Sequence, residues 1–190
     1  MTLSVLFVCT GNICRSPLGE RLLRSRLAAS APVRVSSAGT AAMVGMGIDG
    51  PSALALRELG VDDDGHVAQQ LTAAQIDGAD LILTAQTAHR SAIVRADPFT
   101  FRRTFTMREF GRLGAALEPL DGDPTVEQLR ARVVQVADQR GSVEAPAPGA
   151  DEISDPFGAR TDVARQTAED ISTAVNAIIS ALGLVAPPGK

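Results

Sequence analysis

The sequence predicts an α/β domain in which a parallel sheet is covered by helices on both faces. Three observations carry this. Short apolar runs at 3–8, 33–36 and 79–84 read as buried strands. Helical patterns separate them. Gly- and Pro-rich loops punctuate the alternation. The first run is bounded by a Gly-containing loop, and Ser16-Pro17 then opens a helix, with Ser at the cap and Pro at the first helical position. Leu18, Leu22, Leu23 and Leu27 give that helix an apolar side, while Glu20 reads as solvated. A Gly-rich loop covers 39–50, Pro51 starts a helix ending near Gly60, and a helix at 85–94 follows the third strand, with His89 on its surface.

Arg102 to Met107 is the candidate fourth strand, followed by helices at 108–117 and 125–139. Gly141 to Ala150 reads as a flexible loop. The last helix runs from about Thr161 to Leu182, with Val163, Thr167, Ile171, Val175, Ile178 and Leu182 on one face. This gives one domain over 1–183, a flexible tail at 184–190, and a stretch at 97–150 that reads as an insertion.

Length and composition narrow the function. A chain of 190 residues holds little more than one domain. Net charge −4 and an aromatic content of 3% speak against nucleic-acid binding. Two cysteines and two histidines make neither a disulfide scaffold nor a zinc site, so no metal and no cofactor is expected. The uncharged stretch 171–189 has helical spacing and reads as a buried helix rather than a membrane span. With no signal peptide in view, the expected location is the cytoplasm. The Arg-dominated, Lys-poor usage hints at a GC-rich bacterial genome.

The chemistry lies in Cys9-Thr10-Gly11-Asn12-Ile13-Cys14-Arg15-Ser16-Pro17, between the first strand and the first helix. Such a loop presents successive backbone N–H groups and the positive end of a helix dipole, which makes an anion site. Gly11 and Asn12 tolerate the dihedrals of a tight cradle. Arg15 is placed to fork two phosphate oxygens, and the same charge and dipole would favour a thiolate at Cys9. The loop lacks the Gly-Lys-Ser/Thr of nucleotide-binding loops.

This string resembles the low-molecular-weight protein tyrosine phosphatase family, whose signature is a Cys, five residues, then Arg-Ser near the N-terminus. Further echoes are Ser36-Ser37-Ala38-Gly39-Thr40, His66 before Ala68-Gln69-Gln70-Leu71, Ala79-Asp80-Leu81-Ile82-Leu83, and Asp155-Pro156. The resemblance implies a single-domain, three-layer α/β/α fold with a four-stranded parallel sheet and the phosphate-binding loop after the first strand. It also implies hydrolysis of phosphotyrosine protein substrates, a bacterial tyrosine kinase among them, with Cys9 as nucleophile and phosphocysteine as intermediate. Thr10, Gly11, Asn12, Ile13, Cys14 and Arg15 would bind phosphate. Ser16 would donate to the Cys9 sulfur, His66 would brace the loop through Asn12, and Asp155 would be the proton donor. Asp97-Pro98-Phe99 repeats the Asp155-Pro156-Phe157 triplet, but only Asp155 precedes the final helix. Phe157 stands where relatives usually carry Tyr and would wall the cleft. The chain has no Tyr, so regulation through its own tyrosines is not expected.

Three rivals share the loop. Protein arginine phosphatases carry Thr at the place of Ile13, whereas Ile13 suits a phenyl ring. Thioredoxin-coupled arsenate reductases need cysteines after the third strand, which 85–94 lacks. A non-catalytic phosphoprotein-binding module would keep the loop and lose turnover. Two further readings stay open: a reversible Cys9–Cys14 disulfide, and an arginine-rich docking surface formed by Arg95, Arg102, Arg103, Arg108 and Arg112, against a plain solvated face.

Overall fold

The computed structural model describes residues 1–120 and 122–184. Four parallel strands form one sheet in the order β2-β1-β3-β4: β1 (Leu3–Cys9), β2 (Val33–Gly39), β3 (Leu81–Thr84) and β4 (Thr104–Thr106). β1 sits between β2 and β3, which is why its sequence is apolar at nearly every position. Strand alternation sends Leu3, Val5, Phe7 and Cys9 into the main core, and Leu6 and Val8 into a smaller one.

The main core is shared with α1 (Arg15–Arg26), α2 (Gly50–Glu58), α5 (Met107–Gly114), α6 (Val126–Asp138) and α7 (Thr161–Ala181). The smaller one holds Ile82 of β3 with Ile76 of α3 (Ala73–Asp77) and Ile93 of α4 (Thr87–Ala96). The result is the expected three-layer α/β/α arrangement. α5 and α7 approach closely because Gly111 and Gly114 lack side chains: a Cβ there would lie 2.6 Å from Ala177 Cβ and 2.3 Å from Ala181 Cβ.

Several expectations need correction. Ser16 is not a helix cap. α1 begins at Arg15, with Cys14 at the cap position and no side-chain cap bond. Loop partners draw the Ser16 hydroxyl inward instead. α3 went unread in the sequence because it is one turn long, too short for a periodic signal; a Thr72–Gln75 capping box starts it. The stretch 97–150, read from the sequence as an insertion, packs into the same domain. It supplies a 3-10 turn at Pro98–Arg103, the edge strand β4, and the core helices α5 and α6. Of the expected 184–190 tail, Leu184 is buried in the main core, and 185–190 lie outside the described residues. Val163, placed on the buried face of the last helix, is 38% exposed, while Thr167, Ile171, Val175, Ile178 and Leu182 are buried.

Candidate active site

The loop between β1 and α1 closes on itself around one residue. Asn12 adopts φ 55°, the left-handed region, which its short amide side chain tolerates. Its Nδ2 donates to Ser16 Oγ (2.9 Å) and Ser37 Oγ (2.9 Å), and its Oδ1 accepts from Gln69 N (2.9 Å). The Asn12 carbonyl lies 2.7 Å from His66 Nε2. The Ser37 hydroxyl in turn donates to Glu20 Oε2 at 2.6 Å. Glu20 is therefore not solvated. It is 9% exposed and paired with Arg24 one helical turn on.

This network ends on the thiol. Ser16 Oγ lies 3.0 Å from Cys9 Sγ and 3.4 Å from the Ala38 carbonyl. Because Ser16 Oγ already accepts from Asn12, its proton is free to point at the closer sulfur. Gly39, at the end of β2, must be glycine, since a Cβ there would sit 2.4 Å from Thr10 O and 3.0 Å from Asn12 N.

The polarity of the loop is one-sided. Its carbonyls face outward: Thr10 O accepts from Ala41 N, Gly11 O from Met43 N, and Ile13 O from Asp49 N, at 2.8–3.0 Å. Among the described residues, none of the backbone N–H groups from Gly11 to Ser16 donates to a protein acceptor. Six donors thus surround the start of α1, with the positive end of its dipole behind them.

The cavity beside these donors measures about 170 Å³. Cys9, Gly11, Cys14 and Arg15 lie along it, Ile13, Ala41, Met43 and Phe157 make its apolar side, and Thr10 and Asp155 complete it. Arg15 is 2% exposed. Its Nη2 pairs with Asp155 Oδ2 at 2.7 Å and its Nη1 donates to Ile153 O at 3.3 Å, while the buried Nε has no acceptor among the described residues. Phe157, 54% exposed, stands at the mouth. Asp97 is elsewhere, accepting from Phe99 N where the 3-10 turn starts.

His89 is the residue that sequence reasoning misplaced. It is 6% exposed, and its Nε2 lies 2.9 Å from Thr10 Oγ1. Burial, then the nearby Arg15 charge, push its pKa below the ordinary histidine value; Glu152 and Asp155 act the other way. Its position on α4, one of many polar residues there, gave no sequence signal, since only the packing of α4 against β3 and β4 brings it to the loop. Cys14 is a free thiol like Cys9, and burial pushes its pKa up to about 12, only partly offset by a hydrogen bond with Ser52.

The arginines expected as a positive surface are largely engaged within the chain. Arg102 pairs with Asp138, Arg108 with Asp170 and Arg112 with Asp151, and Arg103 donates to the carbonyls of Ile76 and Ala79. Acidic residues 62–64 cluster at the surface, where the half-buried Asp63 binds Arg57. Among the described residues, no helix is long and apolar enough to cross a membrane.

With this geometry in place, comparison with known proteins is decisive for the family. Residues 4–139 match the low molecular weight phosphotyrosine protein phosphatase family. The chain belongs to this family. Asp155 lies beyond the matched span. A probable low molecular weight protein-tyrosine-phosphatase, AmsI of Erwinia amylovora, is 47% identical over 96 residues, covering 50% of this chain and 64% of AmsI. The chain thus matches less than two thirds of that relative's length. A protein-arginine-phosphatase of Geobacillus stearothermophilus is 35% identical over 133 residues, covering 69% of this chain and 86% of the relative. The crystal structure of the AmsI tyrosine phosphatase superposes with a TM-score of 0.68 at 28% identity, covering 94% of this chain and 92% of that one.

Proposed function

We propose that this chain is a protein tyrosine phosphatase, which hydrolyses phosphotyrosine monoesters through a phosphocysteine intermediate. The observation that carries the reading is that Gly11, Ile13, Cys14 and Arg15, whose backbone N–H groups have no acceptor among the described residues, line one cavity with Cys9 and the buried Arg15 guanidinium. Those donors match a phosphoryl group, whose oxygens gain charge in the transition state. The unpartnered Arg15 Nε supports the same assignment. Family members act as hydrolases of this kind, and the AmsI relative bears the name of a tyrosine phosphatase.

In the first step the Cys9 sulfur attacks phosphorus, an S–P bond forms, the aryl O–P bond breaks, and Asp155 gives its proton to the leaving phenolate. In the second, the oxygen of a water molecule attacks phosphorus, Asp155 takes a proton from that water, and the S–P bond breaks to release inorganic phosphate and the Cys9 thiolate. Ser16 is placed to donate to the sulfur both as it attacks and as it leaves. Asn12, held by His66, Ser37 and Gln69, keeps the loop in shape. No step needs a metal. Phosphoprotein substrates follow from the reading, a tyrosine kinase among them. A reducing cytoplasm suits a mechanism that depends on a free Cys9 thiol.

The arginine-phosphatase relative makes phosphoarginine the second reading. Buried Ile13, with Met43 and Phe157 on the same cavity, favours an aromatic ring over a guanidinium. The test is phosphate release from a phosphotyrosine peptide and a phosphoarginine peptide. Wild type should turn over the former, Cys9→Ser should be inactive, and Asp155→Asn should be slowed on the order of 10²-fold. Turnover of phosphoarginine alone would refute the tyrosine assignment. Retained phosphate affinity without turnover of either would leave a binding module.

A further inference from the structure

Asp155 sits in a stretch with neither helix nor strand between α6 and α7. Nothing regular holds it, yet an acid must be placed to within a fraction of an ångström to act. Two arginines of α5, four residues apart and so on one face of that helix, reach across to this stretch. Arg112 takes Asp151 in a fork, Nε to Oδ1 at 3.3 Å and Nη2 to Oδ2 at 2.8 Å. Arg108 Nη1 donates to the Glu152 carbonyl at 3.0 Å, while its Nη2 holds Asp170 of α7 at 2.8 Å. From the other side, the Glu152 carboxylate accepts from the N–H and hydroxyl of Thr87 at the start of α4, and Ile153 N donates to Ala85 O at 2.9 Å. These bonds fall on three consecutive residues, 151–153, immediately before the segment that brings Asp155 to Arg15.

We infer that Arg108 and Arg112 are positioning residues for the general acid. They work as a clamp that sets where Asp155 stands relative to Arg15 and the cavity. Their engagement within the chain is why the positive surface expected from the sequence is spent: the pairs with Asp151 and Asp170 are about one-third exposed or less on every side chain. Ile153 alone, though fully buried, fixes one point of the stretch. Together with the Glu152 carboxylate on Thr87 it ties the stretch to the α4 side, and the α5 arginines tie it from the opposite side. The inference rests on the phosphatase reading above, and its test separates the two.

The experiment compares wild type with Arg112→Ala, Arg108→Ala, Arg112→Lys and Asp151→Asn. The first readout is kcat/KM for aryl phosphates from 2,4-dinitrophenyl phosphate, a good leaving group, to phenyl phosphate, a poor one. A displaced acid costs most where the leaving group needs the proton. Phenyl phosphate turnover should fall on the order of 10²-fold in Arg112→Ala, 2,4-dinitrophenyl phosphate by no more than about twofold, and Arg112→Lys should lie between. A loss equal for every leaving group, or no loss, overturns the inference. The second readout is amide hydrogen exchange over 150–158, which needs no activity. Exchange should quicken there in both Ala variants and in Asp151→Asn, while β1 and α7 stay protected; unchanged exchange over 150–158 overturns the clamp. Should wild type hydrolyse no aryl phosphate, the phosphatase reading fails, and the exchange result still decides whether α5 holds this stretch.

Discussion

Replacing Asn12 by alanine removes three side-chain hydrogen bonds and puts a β-carbon at φ 55° without the amide that offsets it. Each bond contributes about 1 kcal/mol net, and the left-handed backbone costs alanine about 1–2 kcal/mol. The expected loss is about 4 kcal/mol, a large part of the 5–15 kcal/mol typical of a domain. For a chain of this size that is a fall of roughly 10 °C in Tm. Asn12→Gly loses the same three bonds but relieves the backbone, and should recover about 0.5–1 kcal/mol relative to Asn12→Ala. Urea unfolding of the three proteins gives the free energies, and phosphatase assay of the same samples shows whether the thiol has lost its partner, since the freed Ser16 hydroxyl can turn toward the Ala38 carbonyl. An Asn12→Ala protein within about 1 kcal/mol of wild type would refute the claim that this side chain holds the loop together. A glycine variant no better than the alanine one would refute the backbone part.

Two further outcomes follow from the same neighbourhood. Gly39→Ala pushes a Cβ against the Thr10 carbonyl and the Asn12 amide, both backbone, so the loop must shift; destabilisation of about 1–3 kcal/mol by urea unfolding and at least tenfold weaker phosphate inhibition are expected, and unchanged inhibition would show that the loop does not depend on this contact. His89 is held below the ordinary histidine pKa by burial and Arg15, so the unfolded chain binds its proton more readily, and stability should fall as pH drops through about 6.5 toward the folded value. Gln can offer its Nε2 to Thr10 without titrating in this range, so in His89→Gln that part of the pH dependence should vanish; parallel urea midpoints from pH 7.5 to 5.5 in both proteins would refute the assignment.

Much of the fold was legible in the chain. The run from Leu3 to Val8 is apolar because a central parallel strand is covered on both faces, and that signal is local. The same holds for Cys9 through Ser16, where residue types alone point to a tight loop of free N–H groups, and for Asp155 rather than Asp97 lying beside Arg15, which follows from order along the chain. Element ends were less legible. β4 has three residues and α3 five, below the length at which periodicity speaks. The stretch 97–150 looked foreign because a short edge strand framed by arginines carries almost no apolar pattern, although α5 and α6 bury Phe110, Leu113, Leu129 and Val136 in the main core.

The sequence by itself determined the layer architecture and the loop that sets Cys9 and Arg15 side by side, because each is written in neighbouring residues. Only the tertiary structure decided who supports them. Glu20 reaches the thiol through Ser37, Asn12 and Ser16 because β2 pairs with β1 in register, setting Ser37 opposite Phe7. His89 meets Thr10 across 79 residues, and Arg112 meets Asp151 across 39. Such polar contacts have no period and no motif. They exist where packing brings two distant groups within 3 Å and burial makes an unpaired partner costly, which is information that the folded chain holds and the linear one does not.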